Sequence, residues 1–403
     1  MNTLLSPRLL AVPLTACLTL TAATCVTPAA SATQPRPAAQ PGPAAQPRPA
    51  TAAPHLELPR PTGPDPVGRD ILYLIDKSRK DPWVPASGPR RLMVSMYYPA
   101  RSATGDPAPY MSFEEAKSLL QRKAPGTDLP AEIISGIRTY SRTGARPENG
   151  RHPLVVLSPG LGLPRASLTS LAEDLASHGY VVAAIDHAYE SSGTTFPGVG
   201  LLTCAPLCDQ PKPPEGGKAT ITRNRAKDVS FVLDRLTGRH PAWKRAELIN
   251  PRRIGMAGHS LGGDAASATM LADKRVKAGI NLDGTINATL PAAGLGDRPF
   301  LLMGSQNDHS PGKDHTWDGT WQVLRGWKRW LTVAHAEHSS FTDLAMVASK
   351  AGMSSPDTIA AERATALTRA YVAAFFDQHL KNSRQPLLDA PTPANPEVTF
   401  HNP

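Results

Sequence analysis

Short apolar runs that alternate with helical patterns constrain the fold of this chain more than any other feature. Six runs of four to six residues lack the polar alternation of a half-buried strand: residues 154–157, 180–185, 254–258, 279–282, 300–303 and 331–334. Such runs are typical of strands that are buried on both faces of a sheet. Between them lie amphipathic segments such as 222–236, where apolar residues at i, i+3, i+4 and i+7 from Val229 share one helical face. The alternation predicts an α/β fold over residues 67–403, with a doubly wound, mostly parallel sheet and flanking helices.

The first 66 residues differ in composition from the rest of the chain. Arg8 precedes an apolar run, and Ala30-Ser31-Ala32 supplies the small residues of a cleavage site, which together predict a secretory signal over residues 1–32. The sequence ending at Cys17 also resembles a bacterial lipoprotein box, so a lipid-anchored protein is the alternative. Residues 33–66 contain 11 prolines and a six-residue repeat, and this composition predicts a disordered linker.

Charge and cysteine content limit the partners and cofactors of the chain. The net charge is +9, but the basic residues are scattered and aromatic residues make up only 5%. This pattern argues against nucleic-acid binding and is compatible with transient contact with an anionic lipid surface. Cys204 and Cys208 remain after the predicted signal, and an oxidising compartment favours a disulfide between them. Further cysteines or histidines at ligand spacing are lacking nearby, so we predict no metal site and no stable partner.

The pentapeptide Gly258-His259-Ser260-Leu261-Gly262 ends one apolar run and begins a segment rich in small residues. It matches the G-x-S-x-G pattern, in which a tight strand-to-helix turn presents a serine hydroxyl at the carboxyl edge of a sheet. The helix N-terminus at this point favours negative charge. The short pattern alone also fits a structural turn, but the strand before it and the helix after it favour Ser260 as a nucleophile.

A serine nucleophile needs a base, which in turn is oriented by an acid. His338 lies just after the run at 331–334, where a base can reach back over the sheet, and this position favours it over its neighbour His335. Asp283 and Asp308 each follow the carboxyl end of a predicted strand. Topology therefore permits either carboxylate as the acid.

Two backbone amides are expected to bind the oxyanion of the intermediate. One is the N–H of Leu261, the residue after the nucleophile. The other is the N–H of Leu161, in the glycine-rich loop after the run at 154–157. A plain glycine-rich turn is the alternative interpretation of that loop.

Residues 111–148 interrupt the alternation with two short helical patterns, the first opened by a capping box from Ser112 to Glu115. The apolar residues of this segment include Met111, Phe113, Ile133, Ile134 and Ile137. Two interpretations stay open, a cap over a lipid-sized pocket and an inserted structural subdomain.

These motifs resemble those of the secreted, plasma-type platelet-activating-factor acetylhydrolases and their bacterial lipase-like relatives in the α/β-hydrolase superfamily. The resemblance covers most of residues 67–385. The matching segments are Ser158 to Gly162 with Asp174 to Ala184, Gly258 to Gly263, Leu282-Asp283, and His338-Ser339-Ser340-Phe341-Thr342-Asp343, which is similar to the family's His-x-x-Phe-x-Asp signature. The resemblance implies Asp283 as the acid and His338 as the base. The chain departs from the family at Pro159, where a histidine is usual, and in the loop that carries the two cysteines.

The resemblance implies a secreted serine esterase or lipase that hydrolyses carboxylic esters of lipids, of the 1-alkyl-2-acetylglycerophosphocholine esterase type, without a cofactor. Two alternatives stay open at this point. The first is a cutinase-like or broad-specificity carboxylesterase that uses Asp308 as its acid. The second is a non-catalytic binding module with an α/β-hydrolase fold, against which the complete set of Ser260, Asp283 and His338 argues.

Overall fold

The computed structural model describes residues 56–403. The predicted signal over 1–32, the lipoprotein box at Cys17 and residues 33–55 of the predicted linker lie outside the described residues. The strands are β1 (Val67–Lys80), β2 (Pro89–Pro99), β3 (Asp106–Pro107), β4 (Arg142–Thr143), β5 (His152–Ser158), β6 (Val181–His187), β7 (Thr194–Phe196), β8 (Gly200–Leu202), β9 (Ile249–His259), β10 (Val276–Leu282), β11 (Phe300–Ser305), β12 (Lys328–Val333) and β13 (Val398–His401).

The α-helices lie between these strands and after β12. They are α1 (Phe113–Lys123), α2 (Ala131–Ser135), α3 (Thr169–Ser177), α4 (Ala205–Cys208), α5 (Gly217–Thr237), α6 (Leu261–Ala272), α7 (Gln306–His309), α8 (His315–Val323), α9 (Leu344–Lys350) and α10 (Ala361–Leu380). Within residues 56–403, none of these helices combines the length and the apolar character that a membrane span requires.

The main sheet has the strand order β13-β12-β11-β10-β9-β5-β6-β2-β1-β4-β3. Its centre is parallel from β6 through β5, β9, β10 and β11 to β12, whereas β2 and β13 pair antiparallel with the two ends of this block. Each of the six apolar runs overlaps one of the parallel strands, so the predicted fold class is confirmed. Because these strands run in one direction, the loops that follow them meet at a single edge of the sheet.

Helices cover both faces of the sheet and bury a core on each. On one face α3 and α10 contribute Leu175 and Phe376, and on the other α5 and α6 contribute Val229 and Met270, all fully buried. The packing of α10 is close enough to require a glycine in β9. A Cβ at Gly255 would lie 2.4 Å from a ring carbon of Phe376. Because the central strands are buried on both faces, their sequences consist of continuous apolar runs.

The linker prediction is wrong for residues 56–66, because this segment packs on the domain. Leu58 is 2% exposed, and its N–H donates to the carbonyl of Arg138 at 3.0 Å. Thr62 donates to the Asp174 carboxylate at 2.8 Å, and the Arg369 guanidinium donates to two carbonyls of the segment. Proline content prevents a helix or a central strand here, but it leaves backbone carbonyls available as acceptors.

The insertion at 111–148 forms a small core of its own beside the sheet. Leu119 and Ile134 pack together with Leu58, and the cluster extends to Val347 on α9. No residue of 111–148 is among those that line the cavity containing Ser260. The segment still reaches the edge of that site, because a Cβ at Gly162 would lie 3.3 Å from Nζ of Lys123. Both interpretations of the insertion, as a cap and as a structural subdomain, stay predictions.

Candidate active site

A cavity of about 770 Å³ opens at the carboxyl edge of the parallel strands. It brings together all five residues that the sequence and the resemblance single out, together with the alternative acid. The lining residues are Leu161, Lys218, Ser260, Leu261, Asp283, Thr285, Asn287, Asp308, His309, Lys313, Asp314, His315, Thr316 and His338. His335 is exposed and lies outside this lining.

Ser260 occupies the single position between the end of β9 and the start of α6. Its φ of 55° and ψ of −124° lie in a region that costs a non-glycine residue roughly 1–3 kcal/mol. The turn is held by the Ser260 N–H, which donates to the carbonyl of Leu282 at 2.7 Å. A Cβ at Gly262 would lie 1.9 Å from the carbonyl oxygen of Ser158, and one at Gly258 would lie 2.2 Å from the backbone of Gly262. The glycines of the motif are therefore required by the close approach of backbone.

His338 begins a short 3-10 helix after β12, and its imidazole contacts Asp283. The Nδ1 atom donates to Oδ2 of Asp283 at 2.5 Å, while the other carboxylate oxygen accepts from the N–H of Ser305 at 2.6 Å. Burial alone would raise the pKa of Asp283. The hydrogen bond from His338 and the nearby His309 outweigh burial and hold this pKa below its ordinary value. The carboxylate is therefore ionised at neutral pH and fixes the His338 tautomer with Nε2 free to accept a proton.

The alternative acid and base do not take part in this arrangement. Asp308 is exposed and accepts a hydrogen bond from the Ser305 hydroxyl at 3.0 Å. The imidazole of His335 lies outside the cavity, and its carbonyl accepts from Ile359. Within the described residues, the Ser260 hydroxyl makes no hydrogen bond to His338, so the two side chains share the cavity without a direct bond.

Two histidines that the sequence did not single out support these groups. His259 donates through Nε2 to the carbonyl of His338 at 2.8 Å, and burial, followed by the charge of His338, lowers its pKa to about 3. Neutral His259 therefore supports the backbone of the loop that carries His338. The Nε2 atom of His309 lies 3.6 Å from Oδ1 of Asp283, and its ring stacks on the indole of Trp317. His259 fills the variable second position of G-x-S-x-G, which gives no sign of such a role in the sequence.

Leu161 and Leu261, whose N–H groups are predicted to bind the oxyanion, both line the cavity that contains Ser260. Leu261 is the first residue of α6, and Leu161 lies in the loop after β5. Within residues 56–403, neither amide donates to a protein acceptor. The side chains of both leucines pack with Leu207 of α4. The predicted disulfide between Cys204 and Cys208 joins the two ends of this short helical segment.

Asp343, at the end of the His-x-x-Phe-x-Asp match, anchors the loop of His338 to α3. The buried carboxylate accepts from the N–H of Ser170 at 3.2 Å, and the Asp343 N–H donates to the carbonyl of Ser167 at 2.8 Å. Burial, with a smaller contribution from Glu173, raises its pKa to about 7, although Ser170 and Arg369 act in the opposite direction. This carboxyl is structural and titrates near neutrality.

Within the described residues, no group of three or more His, Cys, Asp or Glu side chains is placed to bind a metal ion. The arrangement instead combines a strained serine, an imidazole with an ionised partner and two free amides. Such a set is able to perform nucleophilic acyl transfer.

Comparison with known proteins gives consistent results. A family model described as platelet-activating factor acetylhydrolase, isoform II, matches residues 50–198. A probable 1-alkyl-2-acetylglycerophosphocholine esterase of Arthroderma benhamiae is 28% identical over 384 residues, which cover 85% of this chain and 93% of that protein. The platelet-activating factor acetylhydrolase of Bos taurus is 25% identical over 52% of this chain and 51% of its own length. A solved structure of a ferulic acid esterase from Streptomyces cinnamoneus is 43% identical, covers 86% of this chain and 99% of its own, and superposes with a TM-score of 0.77.

The raised pKa of Asp343 predicts a pH-dependent stability. Between about pH 4 and pH 7 the folded protein retains a proton that the unfolded chain releases, so this group makes stability fall as pH rises through that window. Asp343→Asn removes this dependence. We expect the free energy of unfolding of this variant, relative to wild type, to rise from pH 5 to about pH 7 and to level off above it, with a slope of at most about 1.4 kcal/mol per pH unit.

Thermal denaturation of both proteins across this range measures the effect. Asp357→Asn, at an exposed position near the same part of the fold, is the control and should show a constant difference from wild type. A constant difference for Asp343→Asn as well would show that its carboxyl ionises freely in the folded state.

Proposed function

Because this chain belongs to the platelet-activating-factor acetylhydrolase-like family of α/β-hydrolases and is a carboxylic-ester hydrolase, we propose that it cleaves short-chain lipid esters through an acyl-enzyme on Ser260. The observation that carries the proposal is the 2.5 Å hydrogen bond from His338 to Asp283 in the cavity that contains Ser260. Acyl transfer by serine requires this pairing of an oriented imidazole with an ionised carboxylate.

The reaction proceeds in two steps. The Ser260 oxygen attacks the ester carbonyl while Nε2 of His338 takes its proton, and the carbonyl electrons move to the oxygen held by the Leu161 and Leu261 amides. Collapse of this intermediate expels the alcohol, which takes the proton from His338. Water then attacks the acyl-enzyme while His338 takes its proton. Collapse of the second intermediate breaks the bond to the Ser260 oxygen, which takes that proton back from His338 as the carboxylic acid leaves. Asp283 keeps the imidazole oriented and stabilises its positive charge in both steps.

The lining of the cavity favours a short acyl group. Among the lining residues only Leu161 and Leu261 are aliphatic, and most of the others are charged or polar. A long alkyl chain gains little from such a surface, because its binding energy comes from apolar area removed from water. The Arthroderma benhamiae relative is named for an acetyl ester, which agrees with this size.

Hydrolysis of hydroxycinnamate esters is a second candidate. The Streptomyces cinnamoneus structure is named as a ferulic acid esterase and matches this chain at 43% identity over nearly its whole length. The polar lining beside the two leucines also suits a phenolic acid, which carries hydroxyl and methoxy groups. Ferulate and acetyl esters differ enough in size for their kcat/KM values to distinguish the two candidate functions.

An ester panel tests the proposed reaction and its substrate class. We expect kcat/KM for p-nitrophenyl acetate to exceed that for the palmitate by at least about tenfold, and a 2-acetyl phosphatidylcholine to be cleaved. Methyl ferulate as the best substrate would favour the second candidate. Preference for palmitate would contradict the proposal.

Ser260→Ala is the control for this panel and should lower turnover by a factor of about 10⁴ or more. A fluorophosphonate probe should label the wild type and not this variant. Failure to label the wild type would support the non-catalytic binding module instead.

Matched substitutions distinguish the two carboxylates. Asp283→Asn removes the ionised partner of His338 and should lower kcat by roughly 10³–10⁴. Asp308→Asn changes an exposed side chain whose one hydrogen bond within residues 56–403 comes from the Ser305 hydroxyl, and its kcat should stay close to that of the wild type. The opposite ranking in steady-state kinetics would support the cutinase-like alternative.

Secretion is part of the proposal and is supported by the disulfide between Cys204 and Cys208, a bond that persists in oxidising compartments. Expression with the full N-terminus should release a protein into the medium that begins at Thr33, as N-terminal sequencing will show. Recovery of a lipid-modified chain that begins at Cys17 would support the anchored alternative.

A further inference from the structure

A buried group of charged side chains lies directly beneath the loop that follows β5. Arg225 of α5 is 1% exposed, and its Nε donates to the Glu190 carboxylate at 2.7 Å. The other oxygen of Glu190 accepts from Arg90 at 2.5 Å and from the indole of Trp83 at 2.8 Å. Burial would raise the pKa of Glu190, but the two guanidinium groups outweigh it and hold the carboxylate ionised. The pair of Arg225 and Glu190 is therefore a charged and fully dehydrated unit.

Both members of this pair also hold the backbone of the loop that carries Leu161. Arg225 Nη1 donates to the Ser158 hydroxyl at 3.1 Å and to the carbonyl of Pro159. At the other end of the loop, the Gly162 N–H donates to the backbone carbonyl of Glu190 at 2.8 Å. The Leu161 amide thus lies between two hydrogen bonds, one from the Arg225 side chain and one to the backbone carbonyl of Glu190.

The opposite side of the loop is held by the nucleophile turn. A Cβ at Gly160 would lie 3.2 Å from Cβ of Ser260 and 3.0 Å from the ring of His259, and the Ser158 carbonyl is in tight contact with Gly262. The loop is enclosed between this turn and the guanidinium, so a shift of Arg225 is transmitted to the Leu161 amide. The mechanism described above makes no use of Arg225 or Glu190.

We propose that Arg225, through its ion pair with Glu190, is a positioning residue that fixes the Leu161 amide for the oxyanion. This inference rests on the proposed function, because it assigns a role within the same site. Arginine suits the role better than lysine, since its planar fork donates in several fixed directions at once. A lysine ammonium at this position retains the charge but cannot satisfy Glu190, Ser158 and Pro159 in the same geometry. An oxyanion donor stabilises the transition state only when it is held in place before the reaction.

Arg225→Lys tests the proposal, with Arg90→Lys as the matched control. Arg90 is buried in the same group and donates to Glu190, Asp228, Asp81 and the carbonyl of Ala188. Within residues 56–403 it makes no hydrogen bond to residues 158–162. With p-nitrophenyl acetate we expect Arg225→Lys to lower kcat by roughly 10- to 100-fold, a part of the loss seen when an oxyanion donor is removed. KM should change less than about threefold. A trifluoromethyl ketone forms an adduct with an oxyanion beside the Leu161 and Leu261 amides, and the affinity of the variant for this inhibitor should fall in proportion to kcat.

The rates are expressed per Ser260 site that reacts with a fluorophosphonate probe, so unfolded protein does not contribute. Arg90→Lys should show a comparable decrease in melting temperature with a change in kcat below about threefold. Equal kcat losses in the two variants, or an unchanged kcat in folded Arg225→Lys, would overturn the proposal. If Arg225→Lys does not fold, Ser158→Ala removes one acceptor of Arg225, together with the contact of the same hydroxyl with Nε2 of His187, and leaves no unpaired charge. A lower kcat at unchanged melting temperature then supports the proposal, and an unchanged kcat contradicts it.

These outcomes are distinct from failure of the proposed function. Activity that survives Ser260→Ala would remove the proposed function itself. Activity that depends on Ser260 but not on Arg225 would remove only the positioning role.

Discussion

The site depends on the close approach of two backbone turns, one at Ser260 and one after β5. The carbonyl of Ser158 lies where a side chain at Gly262 would stand, and a Cβ at Gly160 would meet Ser260. Because β5, β9 and β10 are adjacent and parallel, their ends fix the loop of Leu161, the turn at Ser260 and the Asp283 carboxylate relative to one another. The strained φ of Ser260 is tolerated because the surrounding backbone leaves this turn no alternative.

Buried carboxyl groups around the site differ in charge because their partners differ. Asp283 accepts from an imidazole and a backbone amide, and its pKa falls below the ordinary value although burial acts against this. Asp343 accepts from backbone and has no cation in direct contact, so burial dominates and its pKa rises to about 7. Glu190 stays ionised because two guanidinium groups bind it. A carboxylate that must stabilise an imidazolium needs the first environment, whereas an anchor for a loop functions in the second.

The sequence predicts those parts of the fold and site that depend on local pattern. The parallel strands follow from continuous apolar runs, and the turn at Ser260 follows from small residues at fixed spacing. The ion pair beneath the oxyanion loop leaves no such signal, because Arg225 and Glu190 are 35 residues apart and each looks like an ordinary surface charge in the sequence. The same applies to residues 56–66, whose contacts use backbone carbonyls and one buried leucine that a proline-rich composition conceals. Sequence position alone left Asp283 and Asp308 equivalent, since both follow parallel strands, and the hydrogen bond from His338 to Asp283 is a contact between distant residues that no local pattern reveals.

Two features of this chain depart from the family pattern, Pro159 and the disulfide loop. Both lie beside Leu161 and Leu261, the residues predicted to bind the oxyanion. Pro159 stands where a histidine is usual, and its carbonyl accepts from Arg225. The disulfide loop places Leu207 against the side chains of Leu161 and Leu261. Within the described residues, neither feature is hydrogen-bonded to Asp283 or His338. The two departures therefore lie on the side of the cavity formed by Leu161 and Leu261, away from the hydrogen bond between Asp283 and His338. Because an acyl group that binds beside the two leucines contacts this side first, we expect these departures to influence acyl preference more than proton transfer.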